Sequence, residues 1–255
     1  MKLQKKSLIK SNQKSTLNLK NKTNIFIVCT MIISLVIITF YLFKNQIRPN
    51  YLEKTVVSSK RYQSKLKRLK AKSLKKGAII LFGDSVLESL SFENNNIYNY
   101  SIGGETIGLL KKRITEREYP DSCSVIIMIG LNNFLFNMSP KKTYEEYQSL
   151  IDLTTSKLSF HTIILLELLP ISANSFFVDK DEINLLIQEF NIQIRSLVKN
   201  DVSGKIYFIP LYGQFKDHNN NLKTTYTYDG IHLNANGGDL LKDNILSFLY
   251  NERVQ

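Results

Sequence analysis

The apolar run Ala78-Ile79-Ile80-Leu81-Phe82 ends directly in Gly83-Asp84-Ser85. A serine on the turn after a buried strand is where an α/β sheet exposes a nucleophile. About 145 residues later the chain reads Asp229-Gly230-Ile231-His232. An Asp three residues before a His can hold one ring nitrogen within a single loop, leaving the other to face a serine. Ser85, His232 and Asp229 therefore predict nucleophilic attack on an acyl carbonyl, by a hydrolase or an acyltransferase.

The chain has three histidines, His161, His218 and His232. His161 opens an apolar strand, where a packed or hydrogen-bonded role fits it. His218 lies in the polar loop Lys216–Asn221. His232 alone has an acid at a useful spacing. Competing readings remain for each candidate. Ser85 could serve as a plain N-cap before Val86-Leu87-Glu88, and His232 as a cap on the last helix.

The elements that must position these residues are strands and helices in alternation. Candidate strands are 78–82, 97–101, 125–129, 162–168 and 206–210. Helical patterns fall near 107–116, 144–158, 182–198 and 240–250. Continuous apolar strands are expected where both faces of a parallel sheet are covered. The reading is an α/β, three-layer, doubly wound (flavodoxin-like) parallel sheet of five strands. Ligands bind at the carboxyl edge of such sheets, and Ser85, Gly104 and Asn132 each follow a predicted strand within three residues.

Charge is unevenly placed. Residues 1–77 hold 19 Lys/Arg and one acid, whereas residues 78–255 hold 15 Lys/Arg and 21 acids, within a total of +12. The basic excess flanks residues 25–43, which are uncharged and mostly Ile, Val, Leu and Phe. As a helix this stretch spans roughly 28 Å, about a bilayer core. It predicts a transmembrane helix rather than a cleaved signal peptide, because no small-x-small site follows. It also explains the basic pI without nucleic acid. Seven lysines and no acid precede it. The N-terminus (1–24) is therefore expected in the cytoplasm and the remainder outside, at the cell surface. Residues 44–77 are read as a basic juxtamembrane linker, with apolar positions too sparse to bury a face. Its basic run 60–76 has two readings: a solvated stalk, or contact with anionic lipid or wall polymer. Residues 78–255 form the catalytic domain. Cys29 and Cys123 are too far apart in role to pair, and no metal-type cluster or cofactor motif is apparent.

Four separated blocks in order resemble the SGNH (GDSL-type) hydrolases. They are Gly83-Asp84-Ser85-Val86, Ile102-Gly103-Gly104-Glu105-Thr106, Gly130-Leu131-Asn132-Asn133 and Asp229-Gly230-Ile231-His232-Leu233. The resemblance implies Ser85 as nucleophile, His232 as base and acid, and Asp229 as its orienter. It also implies an oxyanion hole from the backbone N–H groups of Ser85 and Gly104 and the side-chain amide of Asn132. Gly103 adjoins Gly104, so either could be the donor, and Asn132 could be a turn residue. Two departures stand out: Val86 replaces the usual Leu or Ile, and Asn133 stands where Asp is usual. No cofactor or metal is implied.

The resemblance also bounds the substrate to an ester-bearing molecule. With no inserted lid, the pocket is expected to come from loops at 134–142, 171–179 and 211–228. These carry Phe134, Phe136, Phe176, Phe177, Tyr212, Tyr226 and Tyr228, which could line a pocket or pack locally. An open site beside a membrane anchor suits O-acetyl groups on a cell-surface glycan. The alternatives are an O-acyltransferase acting on a surface polysaccharide, a lysophospholipase-like lipid esterase and a non-catalytic surface-binding protein.

Overall fold

In a computed structural model, the structure describes residues 30–43, 48–94, 96–158, 160–173 and 179–251. The chain divides into two units, Met1–Ile47 and Arg48–Gln255. In the first, residues 30–43 are helical, with apolar side chains such as Ile33, Leu35, Ile37 and Phe40 exposed around the helix. Among the described residues no helix is long and apolar enough to cross a membrane. Residues 25–29 of the expected span, and the basic N-terminus 1–24, lie outside the described residues.

The second unit opens with two helices, α1 (Arg48–Ser58) and α2 (Lys60–Ala71), where a linker with too few apolar positions to bury a face was expected. That expectation is corrected. Tyr62 and Leu69 are buried in the main core, and Leu66 packs against it. Tyr62, Leu66 and Leu69 recur at i, i+4 and i+7, so they form a stripe down one side of α2. The stripe is narrow, and surrounding lysines and arginines mask it in the composition. Ser59 caps α2 by accepting the Tyr62 N–H.

Five strands follow: β1 (Ile79–Gly83), β2 (Ile97–Asn99), β3 (Ser124–Met128), β4 (Ile163–Leu166) and β5 (Ile206–Ile209). All pair in parallel, in the order β2-β1-β3-β4-β5. Strands β1, β3 and β4 are buried along their whole length and built mostly of Ile, Leu, Val and Phe, as a covered parallel sheet requires. Strand order reverses beside β1, so the crevice beyond the carboxyl ends of β1 and β3 is the switch point of the sheet.

The connecting helices are α3 (Ser85–Glu88), α4 (Ile107–Thr115), α5 (Leu131–Leu135), α6 (Pro140–Asp152), α7 (Lys180–Lys199), α8 (Tyr212–Phe215) and α9 (Ala235–Asn251). A five-residue π-turn, Leu153–Lys157, extends α6. The elements expected from periodicity are present to within a few residues. The short helices α5 and α8 were not anticipated, and α3, open in sequence as a helix capped by Ser85, is capped by Asp84 instead. One turn of helix carries too few residues to show a period.

Candidate active site

The nucleophile turn is built by close packing. At Gly83 an added Cβ would lie 2.5 Å from the Met128 carbonyl oxygen and 2.8 Å from Leu87. A residue with a side chain there would push β1 from β3 or displace α3. Asp84 then caps α3, its Oδ1 accepting the Val86 N–H at 3.0 Å. Such a cap is worth about 1 kcal/mol. Ser85 is the first residue of α3, so its own N–H has no acceptor within the helix.

His232 arrives from the loop before α9. Asp229 Oδ1 accepts the backbone N–H groups of Ile231 and His232 at 2.9 and 2.7 Å. Its Oδ2 faces His232 Nδ1 at 2.6 Å. Gly230, at φ +87°, makes the tight turn between them and touches Ala173. Slight burial pushes the Asp229 carboxyl up. The His232 ring and the two backbone N–H groups outweigh it and hold the carboxyl below the ordinary carboxylate value. His232 Nε2 lies 3.0 Å from Ser85 Oγ, across 147 residues of sequence. The structure therefore brings together the serine, histidine and aspartate in one hydrogen-bonded line.

The oxyanion side is made by the loop 102–106 and the start of α5. Gly103 donates its N–H to Glu88 Oε2 at 2.7 Å. Gly104 adopts φ +83°, a left-handed conformation that favours glycine. The Gly103 N–H is thereby engaged, whereas the described backbone bonds include none from the Gly104 N–H. Asn132 is buried, and its Nδ2 donates to the Glu105 carbonyl at 3.0 Å and approaches Asp84 Oδ2 at 3.4 Å. Its amide thus links the residue before Ser85 to the residue after Gly104. Burial pushes the Asp84 carboxyl up to about 6, against the pull of the Val86 N–H and His232.

Asn133 explains its own departure from the expected Asp. Its Oδ1 accepts the Ile107 N–H at 3.0 Å, starting α4, and its Nδ2 donates to Glu146 Oε2 at 3.2 Å. An aspartate could accept from Ile107 but would face the Glu146 carboxylate with no proton to give.

Several residues that hold the site escaped the sequence reading. Glu105 is fully buried, taking Arg113 Nε and Nη2 at 2.6 and 2.7 Å and the Tyr62 hydroxyl at 3.0 Å. Burial pushes the Glu105 carboxyl up, opposed by the Arg113 guanidinium and the Tyr62 hydroxyl. A signal was available: Arg113 falls on the apolar stripe of α4 with Ile107, Leu110 and Ile114. Glu88 had no comparable mark.

The pocket aromatics divide. Phe134 is buried against Phe190, Tyr212 is buried with its hydroxyl on the Asn220 carbonyl, and Tyr226 packs on Phe215. These three pack locally and are withdrawn as pocket lining. Phe176 and Phe177 lie outside the described residues. Tyr228 is 70% exposed and stacks beside His232, ring centroids 5.9 Å apart and nearly parallel.

Comparison with known proteins agrees with this fold. Residues 81–240 match the GDSL-like Lipase/Acylhydrolase family. A GDSL-like lipase from Bacteroides thetaiotaomicron shares the fold at a TM-score of 0.64 and 22% identity, over 77% of this chain and 99% of that one. A member of the lipolytic G-D-S-L family from Veillonella parvula does so at 0.53 and 20%, over 67% and 96%. An N-acylneuraminate cytidylyltransferase of Streptococcus agalactiae is 27% identical over 175 residues. These make up 67% of this chain but 38% of that protein, so the chain spans well under half of that relative's length. The matched span carries the serine turn, the glycine loop, the asparagine and the Asp–His loop in one fold, and the chain belongs to the GDSL-like lipase/acylhydrolase family.

Proposed function

We propose that this protein is a membrane-anchored serine esterase that removes small acyl groups, foremost O-acetyl, from a cell-surface glycan. The observation that carries the chemistry is the line Ser85 Oγ, His232 Nε2, His232 Nδ1, Asp229 Oδ2, at 3.0 and 2.6 Å. Ser85 Oγ attacks the ester carbonyl carbon while His232 Nε2 takes its proton. Asp229 holds the ring with Nδ1–H inward and stabilises the imidazolium. The carbonyl oxygen becomes an oxyanion facing the N–H groups of Ser85 and Gly104. The Asn132 amide joins them by exchanging its long contact with Asp84 for the oxyanion. Collapse expels the sugar hydroxyl, protonated by His232. Water then attacks the acyl-Ser85 ester by the same route in reverse, freeing the acid.

Three features support a sugar-borne ester outside a membrane. The His232 and Asp229 side chains are more than a third exposed, which suits a polymer laid across the site. Tyr228 offers an open aromatic face beside them. The Streptococcus agalactiae relative bears the name of an acylated sugar acid. The apolar stretch 25–43 and the lysines before it support an anchor with a cytoplasmic N-terminus.

The test is a screen of the full chain in detergent against O-acetylated glycans and model esters from acetyl to octanoyl. A serine-directed phosphonate should label Ser85 alone. The reading expects kcat/KM to fall beyond acetyl or butyryl. A steady rise toward octanoyl, at about 0.8 kcal/mol per buried methylene, assigns a lipid esterase instead. Acetyl transfer to an added glycan in excess of hydrolysis assigns an O-acyltransferase. Protease added to intact cells should reach residues 44–255, and protection of that region reverses the topology.

A further inference from the structure

Four consecutive residues of the loop beside Ser85 are each held, directly or through one side chain, by α1 or α2. Gly103 gives its N–H to Glu88, and Glu88 is gripped by Arg61 Nη2 at 2.9 Å and Lys65 Nζ at 3.3 Å. Gly104 lies under Val56: a Cβ at its α-carbon would meet both valine methyls at 3.2 Å. The Glu105 carboxylate takes the Tyr62 hydroxyl. The Thr106 hydroxyl bonds to Glu53. The loop is also close to the nucleophile, since a Cβ on Gly103 would stand 3.3 Å from Ser85 Cβ.

We propose that α1 and α2 are a positioning arm for the oxyanion side of the site, setting the direction of the Gly104 N–H through Val56, Tyr62, Lys65 and Glu88. The proposal rests on the acyl-Ser85 reading above and adds to it a part of the chain outside the matched 81–240 span. The physical reason is preorganisation. A left-handed glycine flanked by a second glycine is soft, because neither residue has a side chain to restrict φ and ψ. A donor that swings loses most of its electrostatic value at the developing oxyanion, because the reorganisation cost returns to the barrier. Each arm contact removes one freedom. Glu88 fixes the Gly103 peptide, Val56 packs against Gly104 and limits its movement, and Tyr62 and Glu53 fix the next two residues. Arg61 is largely exposed and its pair with Glu88 is screened, whereas the Lys65 side chain is 18% exposed and contributes more. The arm touches no reacting atom, so its residues are positioning residues. In the chain it follows directly on the apolar stretch, so the segment that anchors the protein leads into the segment that sets the site.

The test uses the full chain in detergent, with active sites counted by phosphonate titration. Val56→Ala combined with Lys65→Met should lower kcat about tenfold per titrated site with KM within twofold, the pattern of an interaction made in the transition state. Affinity for a trifluoromethyl ketone, which forms the tetrahedral oxyanion on Ser85, should fall by the same ratio. Glu88→Ala should behave likewise. Glu88→Gln, which keeps an oxygen for the Gly103 N–H, should recover most of the loss. Arm variants with wild-type kcat and ketone affinity per titrated site, whatever their Tm, overturn the proposal and leave the arm as packing. Failure of the esterase reading looks different: the wild-type chain itself would neither turn over esters nor take the phosphonate.

Discussion

The two sides of the catalytic site are held by opposite means. The histidine side is local and wet. Asp229 and His232 sit three residues apart, bond to each other and to the backbone between them, and remain over a third exposed. The serine and oxyanion side is distant in sequence and dry. Asp84, Glu105, Asn132 and Asn133 are all buried; Glu105 and Asn133 take partners from α2, α4 and α6, and Asn132 joins Asp84 to the Glu105 carbonyl. A histidine that shuttles protons needs a short tether and access to solvent. An oxyanion donor needs fixed direction and little water, which takes buried polar groups that must all be satisfied. Damage should therefore show as lost chemistry alone at Ser85, Asp229 and His232, and as lost chemistry plus lost stability at the buried polar groups of the second side.

The sharpest break lies on the chemical line. Ser85→Ala should lower ester turnover by several orders of magnitude, and Asp229→Asn by on the order of 10⁴, as the ring loses its orienting carboxylate. Thermal melting of both variants should stay close to wild type, because neither removes a buried partner. A large drop in melting temperature for Asp229→Asn would erase the contrast.

On the dry side, Arg113→Met leaves the Glu105 carboxylate buried without its fork. Denaturant unfolding should show a loss of about 3–5 kcal/mol. Adding Glu105→Leu should recover much of it, since an apolar pair of similar volume avoids desolvation. Asn132→Ala should cut kcat by roughly 10²–10³ with KM nearly unchanged. A KM effect with unchanged kcat would move Asn132 from oxyanion to ground-state binding.

The smallest effect is in pH. In the folded protein Asp84 keeps its proton up to about 6, against 3.8 when free of the fold. Between those values the native state holds more protons than the unfolded chain. Stability attributable to Asp84 therefore falls as pH rises, and the loss is complete above about 6. Asp229 acts the other way. Its contribution is present above 3.8 and is lost as pH falls from there through its lowered folded value. Asp84→Asn should flatten the decline between 3.8 and about 6 while shifting the whole curve by a constant. Melting temperature against pH measures both, and an unchanged slope would mean that Asp84 is solvated.

Much of the site was legible because its signals are short-range. Gly83-Asp84-Ser85 after an apolar run marks a strand end. Asp229 and His232 lie within one turn of each other. Gly130-Leu131-Asn132-Asn133 follows β3 after a single residue. The second helix of the arm was missed because its burial rests on three residues, Tyr62, Leu66 and Leu69, among many cations. Phe134, Tyr212 and Tyr226 were open in sequence because an aromatic on a loop packs inward or faces a ligand according to what lies across from it.

By itself the sequence determined the alternation of strands and helices, the serine turn and the aspartate–histidine loop. Each is written in neighbouring residues, where periodicity and hydrogen-bond reach act over a few positions. Tertiary structure spends the Gly103 N–H on Glu88, a choice between the two glycines that the sequence left open. It placed Val56 and Tyr62 against the glycine loop, and it decided that Asn133 rather than Asp suits the neighbourhood of Glu146. Those choices depend on contacts between segments far apart in the chain. Their energies come from excluding water around several groups at once, which a local stretch of sequence does not specify.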